Sequence, residues 1–327
     1  MAPIIVTRGL RKEYKTKSGT VVAVEGIDLD VEAGEVFGLL GPNGAGKTTT
    51  IQMLATIVRP SAGSASVAGH DIRTAPARVR QACGIVFQEP TLDSILTARE
   101  NLQLHARLYG VPPRVFEERI EELLGVVELS ARADDLVKTF SGGMKRRLEI
   151  ARGILHHPKV LFLDEPTLGL DPQSRQRVWE YIRAMREREG TTIILTTHYM
   201  EEADALCDRI GIIDRGRVAA LDAPRRLKAA LGGDIVRLSM GGRVEGFETL
   251  PFVKKVEWQD GTALLTVERA SEHLAEILAH ARGVKSVEVR VPTLEDVFLT
   301  HTGRDLREET PDDAEAAAMA SLTNQGR

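Results

Sequence analysis

The stretch Val36-Phe37-Gly38-Leu39-Leu40-Gly41-Pro42-Asn43-Gly44-Ala45-Gly46-Lys47-Thr48-Thr49 decides the fold. Its first five residues are a short apolar run of strand length, and the glycines and proline that follow end that run in a turn. Beyond Lys47, the residues Ile51, Leu54, Ala55 and Val58 recur at helical spacing. A strand, a glycine-rich loop and a helix in this order are the setting in which the pattern Gly41 to Thr48 forms a phosphate cradle. The glycines let backbone N–H groups converge on phosphate oxygens, and the helix starting near Lys47 adds its positive end. Lys47 can reach the β and γ phosphates, while Thr48 offers a hydroxyl to Mg²⁺, an oxygen-seeking ion that bridges the same phosphates.

Outward from the loop, Ile4-Ile5-Val6 and Val21-Val22-Ala23-Val24, the latter continuing toward Leu29, read as strands. Downstream, Gly84 to Phe87 is another short apolar run, and Thr97 to Val127 carries two amphipathic stretches split by Gly110-Val111-Pro112-Pro113. Ser141 to His157 reads as a helix ended by Pro158. Val160-Leu161-Phe162-Leu163 and Thr192 to Leu195 are buried strands on either side of a long helix over Pro172 to Glu189. Continuous apolar strands alternating with helices predict an α/β fold with a parallel sheet covered on both faces.

Near Leu231-Gly232-Gly233 the strands begin to alternate, so a boundary is placed there: 1–231, then 232–303, then 304–327. The middle region, with a hairpin at Gln259-Asp260-Gly261-Thr262, has the element order of a small ferredoxin-like α+β module. The last region is acidic and alanine-rich and is expected to be flexible.

A length of 327 residues suits two domains, and 43% apolar with 28% charged residues excludes wholesale disorder. The net charge of −4 gives no general positive field for nucleic acid, and 4% aromatic residues leave few stacking platforms. No apolar run approaches the roughly 20 residues of a spanning helix. Met1 to Thr7 lacks the basic and hydrophobic regions of a signal peptide, so export is not expected. Cys83 and Cys207 stand in no metal-like spacing, read as small core residues, and fit a reducing cytosol.

The strand ending in Asp164-Glu165 brings two carboxylates to the sheet edge that carries the phosphate loop. Asp164 is suited to the Mg²⁺ shell, and Glu165 to polarising a water for attack on the γ-phosphate. Between the two motifs lies Phe140-Ser141-Gly142-Gly143-Met144. Here Ser141 can cap the following helix, but Lys145, Arg146 and Arg147 crowd positive charge into its first turn, which calls for a nearby anion.

With this segment the chain resembles the ATP-binding subunit of an ATP-binding-cassette (ABC) transporter, over about Ile4 to Leu227. The resemblance implies a P-loop ABC cassette with a RecA-like core, a β subdomain and a helical insertion at about 89–157. It implies that Tyr14, Gly41, Pro42, Asn43, Gly44, Ala45, Gly46, Lys47, Thr48, Thr49 and Gln88 bind ATP, Tyr14 by stacking on adenine. Thr48, Gln88 and Asp164 would surround Mg²⁺, Gln88 as the Q-loop glutamine. His198 resembles the switch histidine, which contacts the γ-phosphate and orients Glu165 and water; Gly169-Leu170-Asp171 resembles the D-loop. In this family the Ser-Gly-Gly segment meets the γ-phosphate held by the opposite subunit. Ser141, Gly142, Gly143 and Asp171 would therefore act in trans, and the chain would work as a homodimer. Met144 stands where the family usually has glutamine, and the loop Lys15 to Gly19 is longer than usual. Glu201 and Glu202 read as favouring a helix start, and His156 and His157 as partners of a helix C-terminus.

The segment Pro292-Thr293-Leu294-Glu295-Asp296-Val297-Phe298-Leu299-Thr300-His301-Thr302-Gly303-Arg304, together with Phe140 to Arg147, resembles daunorubicin-resistance-type ATPases of ABC-2 exporters. That implies a peripheral subunit on the cytoplasmic face of the membrane, an ABC-2-type permease partner, and efflux of a drug or other hydrophobic or amphipathic substrate. Export of polysaccharide, lipid or ion by a related system is an alternative, as is a soluble ABC ATPase acting on ribosomes or DNA; no nucleic-acid partner is expected. A plain P-loop kinase or GTPase would have no need of Ser141 to Gly143.

Overall fold

The computed structural model describes residues 3–16, 19–240, 246–259, 261–281 and 283–303. The expected tail at 304–327, Arg304 of the closing motif and Asp260 of the hairpin lie outside these residues. The chain divides into two compact units between Leu221 and Asp222.

The first unit begins with two long strands, β1 (Ile5–Lys15) and β2 (Thr20–Val31), which pair antiparallel. Irregular register between Thr7 and Leu10 is bridged by the buried Thr7 hydroxyl, which donates to Ile27 O and accepts from Leu29 N. Strand β3 (Val36–Leu40) is wholly buried and feeds helix α1 (Lys47–Leu54) through the glycine-rich loop. Then come β4 (Ala62–Val67), β5 (His70–Asp71), α2 (Pro76–Ala82) and β6 (Cys83–Val86). A helical insertion follows, made of α3 (Ala98–Leu108), started by a Thr97–Glu100 capping box, α4 (Pro113–Val126) and α5 (Gly142–Ile154). The unit closes with β7 (Val160–Asp164), α6 (Pro172–Glu189), β8 (Thr192–Thr197), α7 (Met200–Leu206), β9 (Arg209–Asp214) and β10 (Arg217–Asp222).

These strands form two sheets. A four-stranded antiparallel sheet has the order β2-β1-β4-β5, and a six-stranded sheet the order β10-β9-β3-β8-β7-β6. The upstream strands therefore belong to a sheet of their own and do not extend the parallel one. Within the six-stranded sheet, the pairs β9–β3, β3–β8, β8–β7 and β7–β6 are parallel, as continuous apolar runs require. Helix α1 packs between the sheets, touching β2, β4 and β7. Ile51, Met53 and Leu54 share one core with Phe37, Phe162 and Ile194 of the parallel sheet and with Ile5, Val24 and Leu29 of the antiparallel one.

The second unit holds α8 (Pro224–Ala230), β11 (Asp234–Met240), β12 (Val253–Gln259), β13 (Thr262–Val267), α9 (Ala270–His280), β14 (Val284–Arg290) and α10 (Leu294–Thr302). Helix α8 packs on α10, so the compact units part ten residues before the change in strand patterning at 231. The sheet order is β12-β13-β11-β14, antiparallel throughout. That is a ferredoxin-like order, but a 3-10 turn at Phe247–Thr249 stands in the described part of the first crossover, where that fold has a helix.

Phe162 is fully buried in β7, directly before the segment that carries both carboxylates. Phe162→Ala is expected to destabilise the protein by about 3–5 kcal/mol, read as a lower urea midpoint with an unchanged slope. A loss below about 1 kcal/mol would contradict its place at the centre of the core.

Candidate active site

Parallel strands that lie side by side end on the same edge. The register pairs Leu40 with Thr197 and Asp164 with Thr196, so the loop after β3, the carboxylates ending β7 and His198 after β8 come together. Gly46 enters α1 at φ 100°, and a Cβ there would lie 2.3 Å from Ala23 O on β2. Only glycine allows both the conformation and the approach.

The lysine side chain turns back into the loop. Lys47 Nζ donates to Gly41 O at 2.7 Å and to Pro42 O at 2.9 Å, and lies 3.5 Å from Glu165 Oε1, with both side chains nearly inaccessible. Thr48 Oγ1 donates to Asp164 Oδ1 at 2.9 Å, and Thr196 Oγ1 donates to the same oxygen at 2.6 Å. Thr196 also accepts from Glu165 N at 2.9 Å, so one hydroxyl fixes both acidic residues. His198 Nδ1 is 2.7 Å from Glu165 Oε2.

The burial of these groups acts on their charges in different directions. Burial pushes Lys47 below the usual lysine range, against the opposing pull of Glu165 and Asp164. It raises Asp164, although the Thr196 and Thr48 hydroxyls pull the other way. For Glu165, burial alone would raise the carboxyl, but the His198 hydrogen bond and the Lys47 charge outweigh it and leave the group below its ordinary value. Glu165 is also at φ 46°, a conformation rare outside glycine, and it precedes a proline.

A second cluster forms around the start of α5. Ser141 Oγ accepts from Met144 N at 3.3 Å as the N-cap. Gly143 lies so close to α6 that a Cβ there would be 3.0 Å from Ser174 Oγ. Asp171 caps α6 by accepting from Ser174 N at 2.9 Å, and Gly142 faces Leu170. Ser141 to Gly143 thus pack with Leu170 to Ser174 as one edge.

The other expected residues are distributed as follows. Thr49 is buried in the first turn of α1, and Asn43, Gly44 and Ala45 complete the loop. Gln88 sits exposed in the bend after β6, whose Val86 pairs with Leu163. Tyr14 lies on β1 opposite Val21, with Lys12 Nζ 4.8 Å from its ring centre, one strand away from the one that Gly46 packs against.

Several polar residues differ from their reading in the sequence. Arg146 and Arg147 find their partners within the chain rather than waiting for an anion. Arg146 is buried among backbone carbonyls, and Arg147 donates to Val127 O at 2.9 Å. The signal was an Arg146–Glu149 pair at i,i+3 on the face of Ile150 and Gly153, all of them buried. Glu201 and Glu202 do stand in the first turn of α7, as expected; Glu202 is in addition buried, accepting from Thr167 Oγ1 at 2.8 Å and Trp179 Nε1 at 3.0 Å, while Glu201 stays exposed. His156 stacks on Tyr109 at 3.9 Å and meets Cys83 O at 3.0 Å; His157 faces Glu189 at 3.5 Å. Their partners are thus specific side chains and a strand carbonyl.

A phosphate loop, a carboxylate pair and a histidine on one parallel edge, with a serine-capped, glycine-led start to α5, define a P-loop ATPase of the cassette class. An ABC transporter family model matches residues 24–168, and a model described as the C-terminal domain of DrrA1-3-like ATP-binding proteins matches 223–302. The linearmycin resistance ATP-binding protein LnrL of Bacillus subtilis is 40% identical over 93% of this chain and 100% of its own. The daunorubicin/doxorubicin resistance ATP-binding protein DrrA of Streptomyces peucetius is 43% identical over 95% and 96%. A Nod factor export ATP-binding protein I of Ralstonia nicotianae is 41% identical over 94% and 96%. Among solved structures, cbiO1 from Clostridium perfringens, part of the ABC transporter complex cbiONQ, aligns with a TM-score of 0.64 at 31% identity over 70% of this chain and 92% of that one. The dimeric cassette MJ0796 bound to ADP and Pi gives 0.62 at 25% identity, covering 67% and 98%. The chain belongs to the ATP-hydrolysing subunits of ABC transporters, in the branch with a DrrA-like C-terminal domain.

Because burial raises Asp164, the folded protein binds that proton more tightly than the unfolded chain does. This group's contribution to stability therefore falls as pH rises from about 4 through its folded value and stays lost above it. Asp164→Asn keeps an oxygen acceptor for Thr48 and Thr196. It is expected to raise the nucleotide-free melting temperature at pH 7, with the gain shrinking toward pH 4. An equal shift at both pH values would contradict burial as the cause.

Proposed function

We propose that this chain is the motor subunit of an ABC-2-type exporter, energising efflux of a drug or other hydrophobic or amphipathic substrate through a separate membrane permease. The observation that carries the reading is the joint presence of the Lys47–Glu165–His198 constellation and the DrrA-like domain at 223–302. Relatives named for linearmycin and daunorubicin resistance align along nearly the whole chain and support it. The Nod factor export relative supports a related exporter of lipid or polysaccharide as a second reading. Among the described residues no helix is long and apolar enough to cross a membrane, so the path for the substrate falls to the permease. The chain would attach to the cytoplasmic face.

In this mechanism the loop from Gly41 to Gly46 binds the phosphates of ATP, and Lys47 holds the γ-phosphate. The hydroxyl of Thr48 and the carboxylate of Asp164 lie 2.9 Å apart, two oxygens of the kind that would hold Mg²⁺. Gln88 would complete that set, and the ion would neutralise charge on the phosphate oxygens when bound. Glu165, favoured in its ionised form by His198 and Lys47, accepts a proton from the attacking water. His198 fixes the direction of that carboxylate, and Tyr14 supplies a ring for adenine. Ser141, Gly142, Gly143 and Asp171 meet the nucleotide of the partner copy in a homodimer; their packing as one edge supports this, because both segments then arrive together.

Lys47→Ala is expected to weaken ATP binding and abolish turnover, and cells expressing it with the permease should accumulate daunorubicin like cells lacking the subunit. Unchanged efflux would overturn the exporter reading. Glu165→Gln is expected to bind ATP, hydrolyse it at least about 100-fold more slowly, and collect as a dimer in Mg-ATP. Light scattering that finds a monomer at saturating nucleotide would count against the shared site.

A further inference from the structure

We propose that Arg146 is a positioning residue: its guanidinium holds the backbone on both sides of Glu165 and ties it to the helix that Ser141 begins. The inference rests on Glu165 being the base that activates water.

Glu165 is in a conformation that its own residue type does not favour, with a proline next in sequence. Something outside the segment must hold it. The buried guanidinium of Arg146 donates from Nη2 to Asp164 O at 2.8 Å and from Nε to Pro166 O at 2.7 Å. These are the carbonyls of the residues on either side of Glu165. Its Nη1 donates to Phe87 O, the carbonyl just ahead of Gln88. One planar fork thus joins α5, the carboxylate turn and the Q-loop.

The counter-charge is part of the same device. Glu149, fully buried one turn later, lies 3.4 Å from Arg146 Nη1 and accepts from Thr91 N at 2.6 Å. Arg152 Nη1 donates to Thr91 O at 3.0 Å. Residues 87 and 91 are therefore both fastened to α5, with Gln88 between them. A displacement of the Ser141 helix tip reaches Glu165 through rigid donors of fixed geometry. A lysine has one mobile ammonium and cannot span both carbonyls and Phe87 at once.

The test compares Arg146→Lys, Glu165→Gln and the double variant in the intact chain, by steady-state and single-turnover hydrolysis of ATP and by binding of a fluorescent ATP analogue. Arg146→Lys is expected to lower kcat about 10- to 100-fold, with analogue affinity and KM within about threefold of the original protein. In the Glu165→Gln background the same substitution should change the residual rate by less than about twofold, because its effect passes through the carboxylate. An unchanged kcat for Arg146→Lys, a KM that rises as kcat falls, or a full additional loss in the double variant would each overturn the proposal. Should Arg146→Lys fail to fold, Arg146→Gln with Glu149→Gln keeps neutral amides in both places and is read in the same way. If Glu165→Gln itself retains turnover, it is the assignment of Glu165 that fails, which separates that outcome from a failure of Arg146.

Discussion

A lysine ammonium and two carboxylates share a space from which water is almost excluded, and the rest of the cassette is arranged around that balance. Isolated, each of these charges would be expensive to bury; together they are tolerable only with close geometry and satisfied hydrogen bonds. The parallel sheet supplies the geometry. Because β8 lies between β3 and β7, Thr196 reaches both acidic residues while His198, two positions on, reaches the outer oxygen of Glu165. A shift in this register would separate Thr196 from Asp164 and leave a buried acid with fewer partners.

The two carboxylates, adjacent in sequence, differ because their neighbours differ. Asp164 accepts from two neutral hydroxyls, which together with the charge of Lys47 do not offset its burial, whereas Glu165 has the His198 hydrogen bond and Lys47 itself within 3.5 Å, which do. The contrast supports the proposed division of labour, in which Asp164 would help to hold Mg²⁺ and Glu165 would take a proton. It also explains why Glu165 tolerates a backbone angle that few glutamates adopt. The segment is pinned by Thr196 at its own N–H and by Arg146 at the flanking carbonyls, so alternative conformations would leave several buried donors unmatched.

Much of this was readable in the sequence, and the exceptions share a cause. Strands β3, β7 and β8 are short, wholly apolar runs bounded by turn residues, and a sheet buried on both faces demands that pattern. The phosphate loop, Asp164, Glu165 and His198 follow from their ends. By contrast β4 (Ala62–Val67) is half exposed and rich in small residues, and β5 has only two residues, so neither produces a periodic signal. The length of β1 was hidden by its bulges, which break strict alternation. The partners of Arg146, and the burial of Glu202 beyond its place at a helix start, are not legible because the dipole and solvent alone say nothing of packing. Burial is a tertiary fact, and with it a surface charge becomes a structural donor or acceptor.

The second unit keeps a ferredoxin-like sheet order although the described part of its first crossover is a 3-10 turn. In a ferredoxin-like sheet two helices cover one face; here α9 is joined by Phe247 and Phe252, large side chains from the described part of the connection between β11 and β12. Phe252 stacks on His273 of α9 at 4.0 Å, so two aromatic anchors do the covering. The cover does not extend to the edge. Val287 and Val289 lie opposite the buried Leu238 and Val236, on the core side of the sheet, yet each remains 40% exposed. An edge strand of this kind invites pairing with another strand. Lys285 and Glu288, both exposed on β14, place charge along the edge and oppose indiscriminate addition. Apolar residues on the core side and charges along the strand are together a compromise that an uncovered edge imposes on a small unit.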